Sequence, residues 1–182
     1  MVRIRASDGE CGAMATVEQY VEAVRGALVG DGCEVSQELL AGDAVTVGYR
    51  GNAKAATRMH TFTVVAVREK VDEAAVLEFT SSVVDLAKVR KGTWRGAQSG
   101  VLAMPVLVSE SVDAGAVALM AKAFRLNMGG FAAMAHPAIV DVAQGAVHTF
   151  RGTRWWGYAY NGLIRKKLAL YLPDPGKVGV AR

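Results

Sequence analysis

Three histidines, His60, His136 and His148, are the only imidazoles in the chain, and imidazole is the usual acid–base group near neutral pH. No two of them have the H-x-x-x-H spacing that puts a pair of metal ligands on one face of a helix. His60 and His148 fall in strand-like segments, where a half-buried polar residue is ordinary, and His136 precedes Pro137 at the start of a strand. Ser109 follows the apolar run Val101–Val108, and the C-terminal ends of parallel strands open onto the crevice where α/β sheets hold ligands. With Glu110 beside it, and with Arg58 and His60 on another strand, it completes the candidate catalytic set: Arg58, His60, Ser109 and Glu110. The competing role for Ser109 or Ser111 is to cap the helix that follows. Ser99 is fourth in the run Gly96–Gly100 and precedes a strand, whereas a nucleophile elbow needs its serine third and after a strand. No glycine-rich run has the spacing of a phosphate loop. Cys33 reads as a small buried hydrophobe. No metal and no cofactor are expected.

Two segments interleave cations with aromatic rings. The first holds Lys88, Arg90, Lys91, Trp94 and Arg95; the second holds Arg151, Arg154, Trp155, Trp156, Tyr158, Tyr160, Arg165, Lys166 and Lys167. All three tryptophans fall within them. Cations neutralise phosphates and rings stack on bases, so this mixture suits a nucleic acid, and its charge suits an acidic protein. The structural alternative is that Trp155 or Trp156 anchors the last helix, while cations near Lys91 and Lys167 complement helix C-termini. The functional reading expects the two segments to meet on one face.

The elements that must position these groups follow from composition and periodicity. The chain has 182 residues, 52% of them hydrophobic and 21% charged, with a net charge of +4, which suits one domain with a real core. No apolar run reaches the ~20 residues of a membrane span, and residues 1–12 lack a signal-peptide core. Two cysteines, Cys11 and Cys33, fit a reducing compartment, so a cytoplasmic protein is expected. Residues 1–13 are aperiodic and read as a flexible, dispensable extension, with Met14 just ahead of the first helix; residues 14–172 form the domain and 173–182 a C-terminal tail.

Thr16 and Gln19 write a capping box for a helix with Val17, Tyr20, Val21, Val24 and Leu28 on one face. Two strands follow, at Cys33–Leu39 and around Val45, Val47 and Tyr49, with a turn at Gly42–Asp43. The strand Arg58–Val67 is apolar on both faces and so central, with Phe62, Val64 and Ala66 on one side. Asp72 caps a second helix, with Val71 and Val76 as a hydrophobic staple. Pro105 places the strand toward one end of the run Val101–Val108. Ser111 or Asp113 caps a third helix that Asn127–Gly130 closes. A hairpin at Ala138–Val142 and Ala146–Arg151 precedes a last helix from about Trp155 to Tyr171. The order is α-β-β-β-α-β-α-β-β-α: an α/β domain with a single mixed sheet and helices on both faces.

The opening α-β-β-β-α-β order, over residues 16–108, resembles the restriction-endonuclease-like, PD-(D/E)XK, superfamily. That resemblance implies an acid at the start of the second strand, where Asp43 stands, and an acid-x-lysine on the third. The third-strand slot reads Val65-Ala66-Val67, and the adjacent Glu69 and Lys70 lie past the strand end. Metal-dependent hydrolysis needs clustered carboxylates, so the resemblance implies the topology without the catalytic motif. The leading expectation is a non-enzymatic binding module for nucleic acid or an acidic partner. The rivals are a small hydrolase or transferase at the strand ends near His60 and Ser109, and an oligomeric structural protein joined through its aromatic residues. Convergence of His60, Asp43 and Ser109 in one pocket would favour the enzyme; dispersal would favour the module.

Overall fold

The computed structural model describes residues 15–54, 57–91, 99–122, 133–152 and 161–178. Helix α1 (Val17–Gly30) opens on the expected capping box, with Gln19 N–H donating to Thr16 Oγ1 at 3.2 Å and Thr16 N–H to Gln19 Oε1 at 2.9 Å. Strands β1 (Glu34–Leu40), β2 (Asp43–Lys54) and β3 (Thr57–Val67) form an antiparallel meander. Leu40 pairs with Asp43, and the two residues between them, Ala41 and Gly42, have φ of 52° and 90°. Two left-handed residues make the turn whose twist matches the flanking strands. The turn therefore centres one residue earlier than Gly42–Asp43.

Helix α2 (Glu73–Lys91) starts where Asp72 Oδ1 accepts the Ala75 N–H at 2.8 Å, with Val71 and Val76 both buried. It returns the chain to β4 (Ser99–Ser109), which pairs in parallel with β3. Pro105 sits inside this strand, opposite Val64, and not beyond its end. The reason lies on the other flank of β4. There β5 (Ala133–Ala135) pairs with 101–103 and β6 (Ala138–Asp141) with 106–109. The neighbouring strand is thus interrupted where Pro105 has no N–H to give. Helix α3 (Ala114–Met120) follows β4, and β7 (Ala146–Thr149) pairs antiparallel with β6. Helices α4 (Asn161–Tyr171) and α5 (Pro175–Val178) end the described chain. The sheet runs β1-β2-β3-β4-β6-β7, with β5 also against β4. The extension 1–13, the stop at Asn127–Gly130 and a helix start at Trp155 lie outside the described residues.

Strand alternation divides the core in two. Phe62, Val64 and Ala66 of β3 meet Val76, Phe79 and Val83 of α2 and Met120 of α3 on one face. Val65, with Leu102, Met104 and Val106 of β4, meets Tyr20 and Leu28 of α1 and Ile164 and Tyr171 of α4 on the other. The mixed sheet with helices on both faces is as expected; the additions are β5 and α5, each too short to show periodicity.

The C-terminal tail is a correction. Tyr20 is fully buried, and its hydroxyl donates to the Pro173 carbonyl at 2.9 Å; Leu172 and Pro175 are buried as well. Residues 173–178 pack over the α1 face, where the Pro173 carbonyl accepts that hydroxyl. A chain ending at Leu172 should lose about 2 kcal/mol from the orphaned hydroxyl and lost packing, or about 4–8 °C of melting temperature at this size. An unchanged melting curve would return these residues to the status of a tail.

Candidate functional site

Strand register separates the candidate catalytic residues. His60 pairs with Val101, whereas Ser109 lies eight residues further along β4, roughly 26 Å away at ~3.3 Å per residue. Ser109 is completely buried. Its hydroxyl lies 3.1 Å from the Glu69 carbonyl and 3.0 Å from that of Ser111, and it accepts the Ser111 N–H at 3.0 Å. Together with Val71 N–H to Ser111 O and Asp113 N–H to Val71 O, both 2.9 Å, it welds the β3–α2 link to the β4–α3 link. Glu110 beside it is exposed. At the other end of the sheet His60 Nδ1 is 2.9 Å from the Tyr49 hydroxyl, and the two rings stack with centroids 6.0 Å apart. The side chain of Arg58 lies outside the described residues.

Asp43 stands at the Ser109 end of the sheet, ion-paired with Arg68 at 2.6 Å. The expectation that Arg58, His60, Ser109 and Glu110 share a crevice is therefore overturned: in parallel strands, residues near opposite ends cannot meet. In the third-strand slot Val65 and Ala66 are buried. Among the described residues no three His, Cys, Asp or Glu side chains gather as a metal set would.

The basic segments also part. Lys88 pairs with Asp85 at 3.0 Å, and Arg90 pairs with Glu38. Arg90 borders a shallow cavity of about 370 Å³ with Glu34, Val35, Ser36, Tyr49 and Phe62. Lys91 is described only as the last residue of α2. Trp94, Arg95, Arg154, Trp155 and Trp156 lie outside the described residues. Helix α2 covers one face of the sheet and α4 the other. The described parts of the two segments thus do not form the single expected face; the crossover that carries Lys88 and Arg90 must cover the side of the sheet away from Arg165 and Lys166.

The second segment does border a cleft. Between the β7 end of the hairpin and the α4–α5 pair lies a space of about 610 Å³. Val147, Ile164, Leu168 and Leu172 give it an apolar floor, and Thr149, Arg151, Asn161, Arg165 and Asp174 are among its polar lining. Arg151 and Arg165 are exposed, and they approach from different elements. Arg151 Nη2 reaches back to 3.4 Å from the Val147 carbonyl. Asp174 accepts the Gly176 N–H at 3.1 Å and lies 3.6 Å from Lys177 Nζ. Lys166, next along α4, is exposed outside the cleft lining.

One cluster was not anticipated. Lys167, read from sequence as part of the basic run, is 5% exposed. Its ammonium donates to Asp31 Oδ2, and to the Tyr171 hydroxyl at 2.9 Å; that hydroxyl also donates to Asp31. Arg50 meets the other Asp31 oxygen at 2.8 Å, and Cys33 Sγ is 3.3 Å from the Tyr171 hydroxyl. Burial alone would raise the Asp31 carboxyl, but hydrogen bonds from Lys167, Tyr171 and Arg50 outweigh it and hold it at about 2. Burial, then the hydrogen bond to Asp31, pushes Tyr171 well above the phenol range, and burial raises the Cys33 thiol. Both nucleophiles are thus held protonated. A lysine, an aspartate and a protonated tyrosine that satisfy one another make a clamp joining α4 to the end of α1. Its signal in the sequence was helical spacing: Ile164, Lys167 and Tyr171 share one buried face.

Comparisons with family models, curated proteins and solved structures return no match. The described residues define an α/β domain on one open mixed sheet of seven strands. No described helix is long and apolar enough to cross a membrane.

Proposed function

We propose that this domain is a non-enzymatic binding module for nucleic acid, working through the cleft between the β6–β7 hairpin and α4. The observation that carries the proposal is the pair of exposed arginines, Arg151 and Arg165, set on two elements around an apolar floor in a space of about 610 Å³. Arginine presents a planar fork of donors that matches phosphate oxygens, and a space of this size falls within the range that holds organic ligands. The resemblance to the restriction-endonuclease-like superfamily rests on the α-β-β-β-α-β element order alone, which the described residues within 17–109 follow. The apolar third-strand slot supports binding without hydrolysis.

Binding through phosphates weakens steeply as salt rises, since each neutralised phosphate releases counterions. Arg151→Ala and Arg165→Ala should each lower affinity for RNA or DNA and flatten the salt slope by about one. Both positions are exposed, so each variant should stay folded, with the loss read in affinity and the melting curve measured beside it. Lys88→Ala, on the opposite face, is the control and should bind normally. Unchanged affinity in both arginine variants would sink the proposal. Equal affinity for polyglutamate would move it to an acidic protein partner.

A further inference from the structure

We infer that the cleft takes one unstacked base of a single strand, so that the domain prefers single-stranded over duplex nucleic acid. The inference rests on the nucleic-acid reading of the same cleft and adds to it the form of the ligand.

Two arginines alone would attract any polyanion, duplex and single strand alike. The apolar floor adds a second requirement. Val147 of β7, Ile164 and Leu168 of α4 and Leu172 just beyond it offer no hydrogen-bonding side chain to a phosphate. A phosphate set on them would lose hydration without return, whereas a flat, largely apolar base would gain by leaving water. In a duplex the bases are stacked and paired, and only their edges reach the grooves. Drawing one out costs a few kcal/mol, and that cost is least for a strand already single. Arg151 just after the hairpin and Arg165 on α4 line the same cleft from two different elements, so a strand entering it would meet a cation from each. Asn161 and Thr149 also line the cleft, and the Thr149 hydroxyl donates to the Pro137 carbonyl at 2.9 Å. Asp174 is the acid of the lining; with Lys177 at 3.6 Å it opposes phosphate at the α5 end and favours the arginine end.

The test compares four probes at one low salt concentration by fluorescence anisotropy: a labelled single-stranded decamer, the duplex of the same length, a single strand with abasic sugars at every position, and heparin. The base-bearing single strand should bind at least tenfold more tightly than the abasic strand of equal charge, since stacking or insertion of a base is worth about 1–3 kcal/mol. The duplex should resemble the abasic strand. Ala169→Phe fills the cleft from an exposed position of α4; it should erase the difference between base-bearing and abasic strands while leaving abasic affinity and the melting temperature unchanged. Equal binding of base-bearing and abasic strands by the unaltered chain overturns the inference but leaves the polyanion reading standing. No binding of any probe overturns both. Retained preference in a folded Ala169→Phe chain also overturns the inference, because the base would then sit elsewhere.

Discussion

Asp31→Ala is expected to be among the most destabilising single substitutions outside the apolar core, at about 3–5 kcal/mol. The reason is the asymmetry of the clamp. Lys167 is 6% exposed in its side chain, while Asp31 is 18% exposed and has three donors around it. Removing the aspartate strands a buried ammonium with only the Tyr171 hydroxyl for company. Lys167→Met, by contrast, leaves the carboxylate held by Arg50 and Tyr171 and keeps the apolar stem, so its cost should be smaller, about 1–3 kcal/mol. The double variant should be more stable than Asp31→Ala alone, because it removes the stranded charge. The titration follows from the same geometry. The Asp31 carboxyl is depressed from its ordinary value of 3.8 to about 2 in the fold. Its contribution is therefore complete above about pH 4 and disappears as the pH falls from there toward 2. Chemical denaturation of the original and variant chains across that range checks both statements. A cost below about 1 kcal/mol for Asp31→Ala at pH 7 would mean that water already solvates Lys167, and the clamp would be a surface ion pair.

Gly48→Val should cost a similar amount for a wholly different reason. Gly48 lies in the middle of β2, between Val35 of β1 and Thr63 of β3. A Cβ there would come within 2.8 Å of Leu28 Cδ2 and 2.9 Å of Cδ1, and Leu28 is itself completely buried. Glycine weakens a strand interior in itself, so a larger residue would help if there were room. There is none: the missing side chain is what lets the last turn of α1 lie down on the sheet. Gly48→Ala should cost about 1–3 kcal/mol through overpacking, and Gly48→Val more. Leu28→Ala alone should cost about 2–5 kcal/mol, yet combined with Gly48→Val the two changes should partly compensate. Additive losses in that double variant would show that the glycine and the leucine do not share one space.

The parts of this fold that were legible from residues alone are those fixed by local chemistry. Thr16 with Gln19 and Asp72 with Ala75 act within one turn of their own helices, and the Phe62, Val64, Ala66 stripe needs only strand periodicity. Pro105 was misjudged because its tolerance depends on a break between β5 and β6 some thirty residues away. Lys167 was misjudged because its type argues for solvent, although its spacing from Ile164 and Tyr171 argued for the core. The candidate catalytic set failed on register: nothing local to His60 or Ser109 says which residues of β3 and β4 lie side by side. Arg151 and Arg165 were found as cations, but the cleft between them exists only once the hairpin and α4 are packed together.

The clamp also has a consequence in time. The meander pairs residues of neighbouring strands across short turns, so its loops close at little entropic cost and it is suited to form early. Tyr171 reaches Asp31 across 140 positions of chain, and that meeting requires the α4 side of the sheet to be in place first. Contacts made after the folding barrier do not speed folding; they slow unfolding. If the Asp31, Lys167 and Tyr171 contacts form after the barrier, weakening them by Asp31→Ala should raise the unfolding rate and leave the refolding rate nearly unchanged, which stopped-flow kinetics would check.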